Sequence, residues 1–271
     1  MTTALKPSSD RLLRRALLGV QCVDAVDGRP VQDGLRVEFV DHARPRHREA
    51  LNAGPSGVFV LHRHPGVQTL FANADDSEAA GSELSESPAD EGRFEVRITD
   101  PLQRYVDTRL RTDLPADELM TVRLYSAPTR TPPIALACLR AELRLRSQPE
   151  QAARWAWLRL TLGAQTLAEG PADAQGRALL VFPLPRPREG VLHGSPATAE
   201  ALLDWSVVLH AHWHPDRLAD DVADQNTLRQ QPEVGLLQQR LPPVSLTPLS
   251  LRAGQPLLAH RPPSSFLFVA D

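Results

Sequence analysis

The chain has 271 residues, 42% of them apolar, and a formal charge of −3. Its length suits one large or two ordinary hydrophobic cores, and its charge balance excludes nucleic acid or an anionic membrane as partners recruited by an overall basic field. No stretch reaches the roughly 20 consecutive apolar residues of a membrane-spanning helix.

From the N-terminus, "RLLRRALLGVQCVDAV" (11–26) sets an arginine cluster before a short apolar stretch. Gln21, Asp24 and Asp27 interrupt it and no small-residue cleavage site follows, so it does not read as a secretory leader and a cytoplasmic location is expected. Strand alternation begins with "LRVEFV" (35–40), where Leu35, Val37 and Phe39 share a face opposite Arg36 and Glu38. "GPSGVFVLHRHPG" (54–66) reads as a glycine turn at Gly57 feeding an apolar strand. Residues 72–92 carry seven acidic side chains and no basic one, which predicts a solvated loop inserted between two strands. "RFEVRIT" (93–99) then sets Phe94, Val96 and Ile98 against Glu95, Arg97 and Thr99.

"SAPTRTPPI" (126–134) has three prolines and no alternation, which marks a stiff connector. Alternation resumes in "RAELRLR" (140–146) through Ala141, Leu143 and Leu145, and in "WLRLTL" (157–162) through Leu158, Leu160 and Leu162. "ADAQGRALLVFPLP" (172–185) repeats the pattern of a turn glycine, Gly176, leading into an apolar strand. In 204–214, Trp205, Val207, Leu209, Ala211 and Trp213 face one way and Ser206, Val208, His210, His212 and His214 the other. A short helix fits near 216–229, where Asp216, Asp220, Asp221 and Asp224 lack the ligand spacing of a calcium loop. Cys22 and Cys138 sit in strand-like stretches and read as buried free thiols. Many short strands with Gly, Pro and Asp punctuation predict an all-β protein of two tandem β-sandwich domains. The expected boundaries are 1–127, a linker at 128–133, and 134–271.

"VDAVDGRPVQDGLRVEFV" (23–40), with "SGVFVLHRHPG" and "RFEVRITDPLQRYVDTRL" (93–110), resembles the carboxypeptidase-regulatory-like modules, also called transthyretin-like or prealbumin-like β-sandwiches. The matching positions are Asp24, Gly28, Pro30 and Val31, then Gly57, then Asp100 and Pro101. The resemblance covers most of 16–125 and, more loosely, 135–190; the acidic insert departs from it. It implies an Ig-like sandwich used as a spacer, adaptor or docking module rather than a catalyst. The overall organisation also resembles the small accessory subunits of phage-tail-like contractile injection systems. That likeness implies a structural role beside other protein subunits in a particle assembled in the cytoplasm.

Two constellations compete for a function. His210 and His212 could present two imidazoles to zinc and are similar to the paired strand histidines of α-type carbonic anhydrases. A catalytic zinc needs a third protein ligand, though, and His260 has no supporting pattern. In "RWAWLRL" (154–160), Ala156, Leu158 and Leu160 take the core side, leaving Trp155 and Trp157 on the opposite face beside Arg159. This predicts a protein-contact surface of Trp155, Trp157 and Arg159, unless a loop such as 214–245 covers it. The alternatives are a carbohydrate-binding module stacking sugars on the two tryptophans and a zinc enzyme on the histidines. The chain is therefore expected to be a non-enzymatic assembly subunit with no catalytic residue, metal, cofactor or small-molecule substrate.

Overall fold

A computed structural model describes residues 16–42, 48–62, 94–114, 116, 118–186, 203–219, 221–260 and 264–270. The acidic stretch 72–92 lies outside the described residues. The described chain is nearly all β, as the alternation predicts.

Seven strands build the N-terminal sandwich: β1 (Leu18–Asp24), β2 (Arg36–Asp41), β3 (Arg48–Ala53), β4 (Val58–Leu61), β5 (Phe94–Thr99), β6 (Thr108–Thr112) and β7 (Met120–Leu124). Their order is β6-β5-β2-β3-β4-β1-β7, antiparallel throughout except for the parallel β1–β7 pair. Strand β3 turns the corner: residues 48–51 pair with β2, whereas Asn52 and Ala53 pair with β4. One sheet is thereby folded into two leaves. Val37, Phe39, Val96, Ile98 and Leu110 from one leaf close on Val20, Cys22, Phe59, Leu61, Val122 and Leu124 from the other. The polar faces are less open than their residue types suggest, since Glu38 and Glu95 are also buried. Arg36 satisfies Glu38, and His42 and Arg109 flank Glu95, so each carboxylate brings its partner with it.

The C-terminal sandwich stacks two sheets. One has the order β10-β9-β12-β13, with β16 also on β12, formed by β9 (Trp157–Leu162), β10 (Gln165–Pro171), β12 (Asp204–His212), β13 (Glu233–Val234) and β16 (Leu249–Arg252). The other has the order β11-β8-β18-β14-β15, with β17 on β8, formed by β8 (Leu136–Leu145), β11 (Arg177–Pro183), β14 (Leu236–Gln239), β15 (Val244–Ser245), β17 (Leu257–Leu258) and β18 (Leu267–Val269). Leu139, Leu143 and Leu145 of β8 and Leu180 and Phe182 of β11 pack on Leu158, Leu160, Trp205, Val207, Leu209 and Ala211. A 3₁₀ turn (Pro215–Ala219) and the four-residue helix α1 (Gln225–Leu228) occupy the segment expected to hold a short helix.

The two glycine turns repeat down to their hydrogen bonds. In one, the Gly54 and Gly57 amides donate to the Val58 and Gly54 carbonyls; in the other, the Asp173 and Gly176 amides donate to the Arg177 and Asp173 carbonyls. Gly57 (φ 76°) and Gly176 (φ 74°) both lie in the left-handed region that an L side chain enters only with strain. The likeness extends to pairing: β1 lies between antiparallel β4 and parallel β7, and β8 between antiparallel β11 and parallel β18. Beyond that core trio, the strand orders of the two sandwiches differ.

Candidate functional site: the junction between the two sandwiches

Trp155 and Trp157 are not a surface patch. They are 3% and 0% exposed, at the centre of a third apolar cluster that joins the sandwiches: Val106, Tyr125 and Ala127 from the N-terminal side, and Trp155, Trp157, Ala223 and Leu228 from the other. The alternation of β9 is as the pattern predicts, with Ala156, Leu158 and Leu160 in the core. The expected exposure gives way to the alternative cover: Ala223, Leu228 and Arg229 of the 214–245 segment, together with Tyr125, pack over the second face. The side chain of Arg159, further along that face, remains 41% exposed and lies 3.7 Å from Glu169.

Local structure explains how both tryptophans reach the junction. Trp155 precedes β9 and has φ 61°, an unusual value for a bulky residue, so the chain kinks before the strand starts. Its carbonyl accepts from Gln231 Nε2 at 3.0 Å. Trp157 meets the Tyr125 ring edge-on at 5.1 Å, and the Arg229 guanidinium lies 5.0 Å from its ring centre. Arg229 Nη2 also donates to Tyr125 Oη and to Glu169 Oε1, each at 2.6 Å. Burial pushes the Tyr125 phenol up, against the pull of Arg229.

The segment carrying α1 forms the other side of the weld. Its Ala223 carbonyl accepts from the Arg109 amide of β6, and Gln225 Nε2 donates 2.7 Å to the Arg123 carbonyl of β7. It thus spans the two edge strands of the N-terminal sheet, and Asp221 adds an ion pair to Arg97 at 2.7 Å. Edge strands with unpaired backbone groups invite foreign pairing; here the chain's own segment occupies part of both edges.

A buried ionic knot holds the proline-rich connector. Asp24 Oδ2 accepts from Tyr105 Oη (2.9 Å) and Arg130 Nη2 (2.6 Å), and Oδ1 accepts from the Val26 amide (2.8 Å). Burial pushes the Asp24 carboxyl up, but these donors outweigh it and the carboxyl sits below its ordinary range. Burial and the neighbouring Asp24 raise the Tyr105 phenol to about 12. Arg140 of β8 donates to the Pro128 carbonyl at 2.6 Å, so both sandwiches grip the connector. Asp100 organises the adjoining turn through the amides of Leu102, Arg104 and Tyr105 and the Arg104 side chain. Asp24, one of the positions that carry the family resemblance, is therefore also a junction residue, whereas Asp100 serves its own turn.

Two of the three alternating histidines, His210 and His212, clasp the returning end of the α1-bearing segment to β12, and the ring of His214 makes a local contact. His210 Nδ1 lies 2.8 Å from Glu233 Oε1, and its Nε2 lies 3.3 Å from Thr161 Oγ1. His212 Nδ1 lies 3.2 Å from the Gln231 carbonyl, and His214 Nδ1 accepts from the Asp216 amide at 3.3 Å. The hydrogen bond from His210 holds the Glu233 carboxyl below its ordinary range. His260 lines a different groove, with Arg140 and Leu258. Among the described residues no three His, Cys, Asp or Glu side chains are grouped to hold a metal ion. Cys22 and Cys138 are free and buried, and burial pushes the Cys22 thiol up to about 12.

No family model matches the chain, and no curated protein matches it. Among solved structures, the Bacillus anthracis TIE protein aligns with 62% of this chain and 26% of its own length, at 10% identity and a TM-score of 0.24. A Streptococcal ancillary pilin aligns over 91% and 62% at 10% identity and a TM-score of 0.23. The shaft pilin spaA from Lactobacillus rhamnosus GG, as a glutamate-to-alanine mutant, aligns over 94% and 97% at 8% identity and a TM-score of 0.23. The chain thus spans about a quarter of the first protein and less than two thirds of the second. Likenesses of this size carry no functional argument.

Proposed function

We propose that this chain is a non-enzymatic structural or adaptor subunit that holds other protein subunits at a fixed spacing. The observation that carries the reading is the weld. An apolar cluster, the Arg97–Asp221 and Arg229–Glu169 pairs and the Asp24–Arg130 knot join two sandwiches, each with a core of its own, into a stiff unit. Joined sandwiches separated by a hinge would move independently; here the connector is gripped from both sides. In this reading the chain consists of two β-sandwich domains, 1–127 and 134–271. Its contact face is the open part of the β9–β12 sheet, where Arg159, Thr161, Val208 and His210 lie beyond the covered end at Trp157. The burial of both tryptophans removes the platform on which a sugar-stacking module would depend.

Within this reading, we place the chain in a phage-tail-like contractile injection particle built in the cytoplasm, on the sequence resemblance alone. Sedimentation of the tagged chain from its native host is the test. The reading expects migration with a complex much heavier than the 29.8 kDa chain, with partner proteins in fixed ratio. Recovery as the free chain under all growth conditions would refute it.

A further inference from the structure

Beside the weld, a cleft of about 540 Å³ opens between the sandwiches, lined by Val106, Asp107, Ala127, Pro128 and Gln175 among others. Clefts between packed units are the common place for a ligand, and a few polar groups within them set its chemistry. The charges in this cleft are almost all spoken for. Asp221 takes Arg97 at 2.7 Å, Asp173 takes Arg177 at 2.9 Å, and Asp100 takes Arg104 at 3.0 Å. Asp107 differs: it is exposed at the cleft, one of its oxygens accepts the Asp100 amide at 3.2 Å, and among the described residues no arginine bonds to it.

That difference is reflected in its protonation. The carboxyls of Asp24, Asp100 and Glu233, each bonded to an arginine or histidine, lie below their ordinary range. Asp107 is pushed up, first by burial and then by the neighbouring Asp100 and Asp221, against the Asp100 amide and the more distant pull of Arg97. Unlike those three, Asp107 has no arginine or histidine hydrogen-bonded to it among the described residues, and a bonded cation is what favours the charged form. We propose that the cleft at Asp107 binds an organic cation, an ammonium or guanidinium on an aliphatic stem, with the charge on the free Asp107 oxygen and the stem along Val106, Ala127 and Pro128. The cleft is far larger than a bare ammonium, which favours a side-chain-sized cation. This assignment is independent of the assembly reading, because it concerns a site that a free monomer also possesses.

The source is either a free amine or a lysine or arginine of a partner protein. Isothermal titration of the full chain uses N-acetyl-argininamide and N-acetyl-lysinamide as partner-like probes, agmatine and n-butylamine as free amines, and N-acetyl-citrullinamide as the uncharged control. At least one cation is expected to bind saturably, the citrulline control not to bind, and Asp107→Asn to weaken binding tenfold or more with an unchanged melting temperature. Gln175→Lys, which places an ammonium at the cleft wall, checks the site by a second route and is expected to compete the probe away. Tighter binding of the amides points to a partner's side chain, and tighter binding of agmatine or butylamine to a free amine. No saturable binding by any cation, equal binding by the citrulline control, or cation binding unchanged in both variants would overturn the proposal.

Discussion

Replacing Trp157 tests the weld most directly, because that side chain is wholly buried and touches groups from both sandwiches. Truncation to alanine removes an indole from a site with no solvent to refill it, and core Trp→Ala changes cost about 3–5 kcal/mol. Trp157→Phe should be far milder. It gives up some packing, but it also removes Nε1–H, a buried donor with no acceptor among the described residues, and such an orphan costs about 1–3 kcal/mol. The net change for phenylalanine is expected to be about 1 kcal/mol or less. The edge-on contact gives a second reading: a double-mutant cycle with Tyr125→Leu should show a coupling of about 0.5–1.5 kcal/mol. Urea unfolding followed by far-UV circular dichroism supplies all of these values. The wild type should unfold in one transition and Trp157→Ala in two, as the sandwiches part. A loss below about 1 kcal/mol for Trp157→Ala, or one transition for both proteins at equal midpoints, would refute the weld.

Four further outcomes follow from the same contacts. Gly176→Ala should lower the melting temperature at least twice as much as Gly28→Ala. Both glycines have positive φ, worth about 1 kcal/mol, but only at Gly176 would a Cβ run into the Leu143 carbonyl, whereas Gly28 faces open space; equal losses in differential scanning calorimetry would contradict this. Arg130→Ala strands the buried Asp24 carboxylate and should cost about 3 kcal/mol in chemical unfolding, and Asp24→Asn in the same background should recover part of it. With pH the two partners of the knot pull in opposite directions. Asp24 titrates below its unfolded value of about 3.9, so its stabilisation is complete above that pH and is lost as pH falls through the folded value. Tyr105 titrates above its unfolded value of about 10, so its stabilisation is complete below pH 10 and lost as pH rises towards about 12; a melting profile without a steeper alkaline decline than that of Tyr105→Phe would count against it. Finally, His210→Ala with His212→Ala should loosen the segment ahead of β13, seen as faster hydrogen exchange at 214–233, and equimolar zinc should leave the wild-type melting temperature unchanged.

Period-two alternation made the strand faces readable from the residues alone. The inward sides of β5, β8, β9 and β12 are the apolar ones that the alternation predicts. The turn glycines were legible for a similar reason, since a positive φ selects for the missing Cβ at Gly57 and Gly176. The outward face of a strand carries no such signal about what lies over it. Trp155 and Trp157 pointed away from their own core as expected, yet the residues that cover them, Tyr125 and Leu228, are 30 or more positions away along the chain.

The same division runs through the polar groups. Asp24 and Asp100 stood out through the family resemblance, and both hold local turns, with amide partners within five positions in sequence. The wider role of Asp24 depends on Arg130 and Tyr105 arriving from other elements, and the histidine clasp depends on where the 214–233 excursion returns. Local periodicity and turn chemistry are properties of neighbours along the chain, so the sequence by itself determined the all-β class and the faces of its most regular strands, such as β5, β8, β9 and β12. Which faces meet, which charges find partners and which carboxylate, Asp107, is left short of one are decided by long-range packing, and only the tertiary structure brings those groups within a few ångströms of each other.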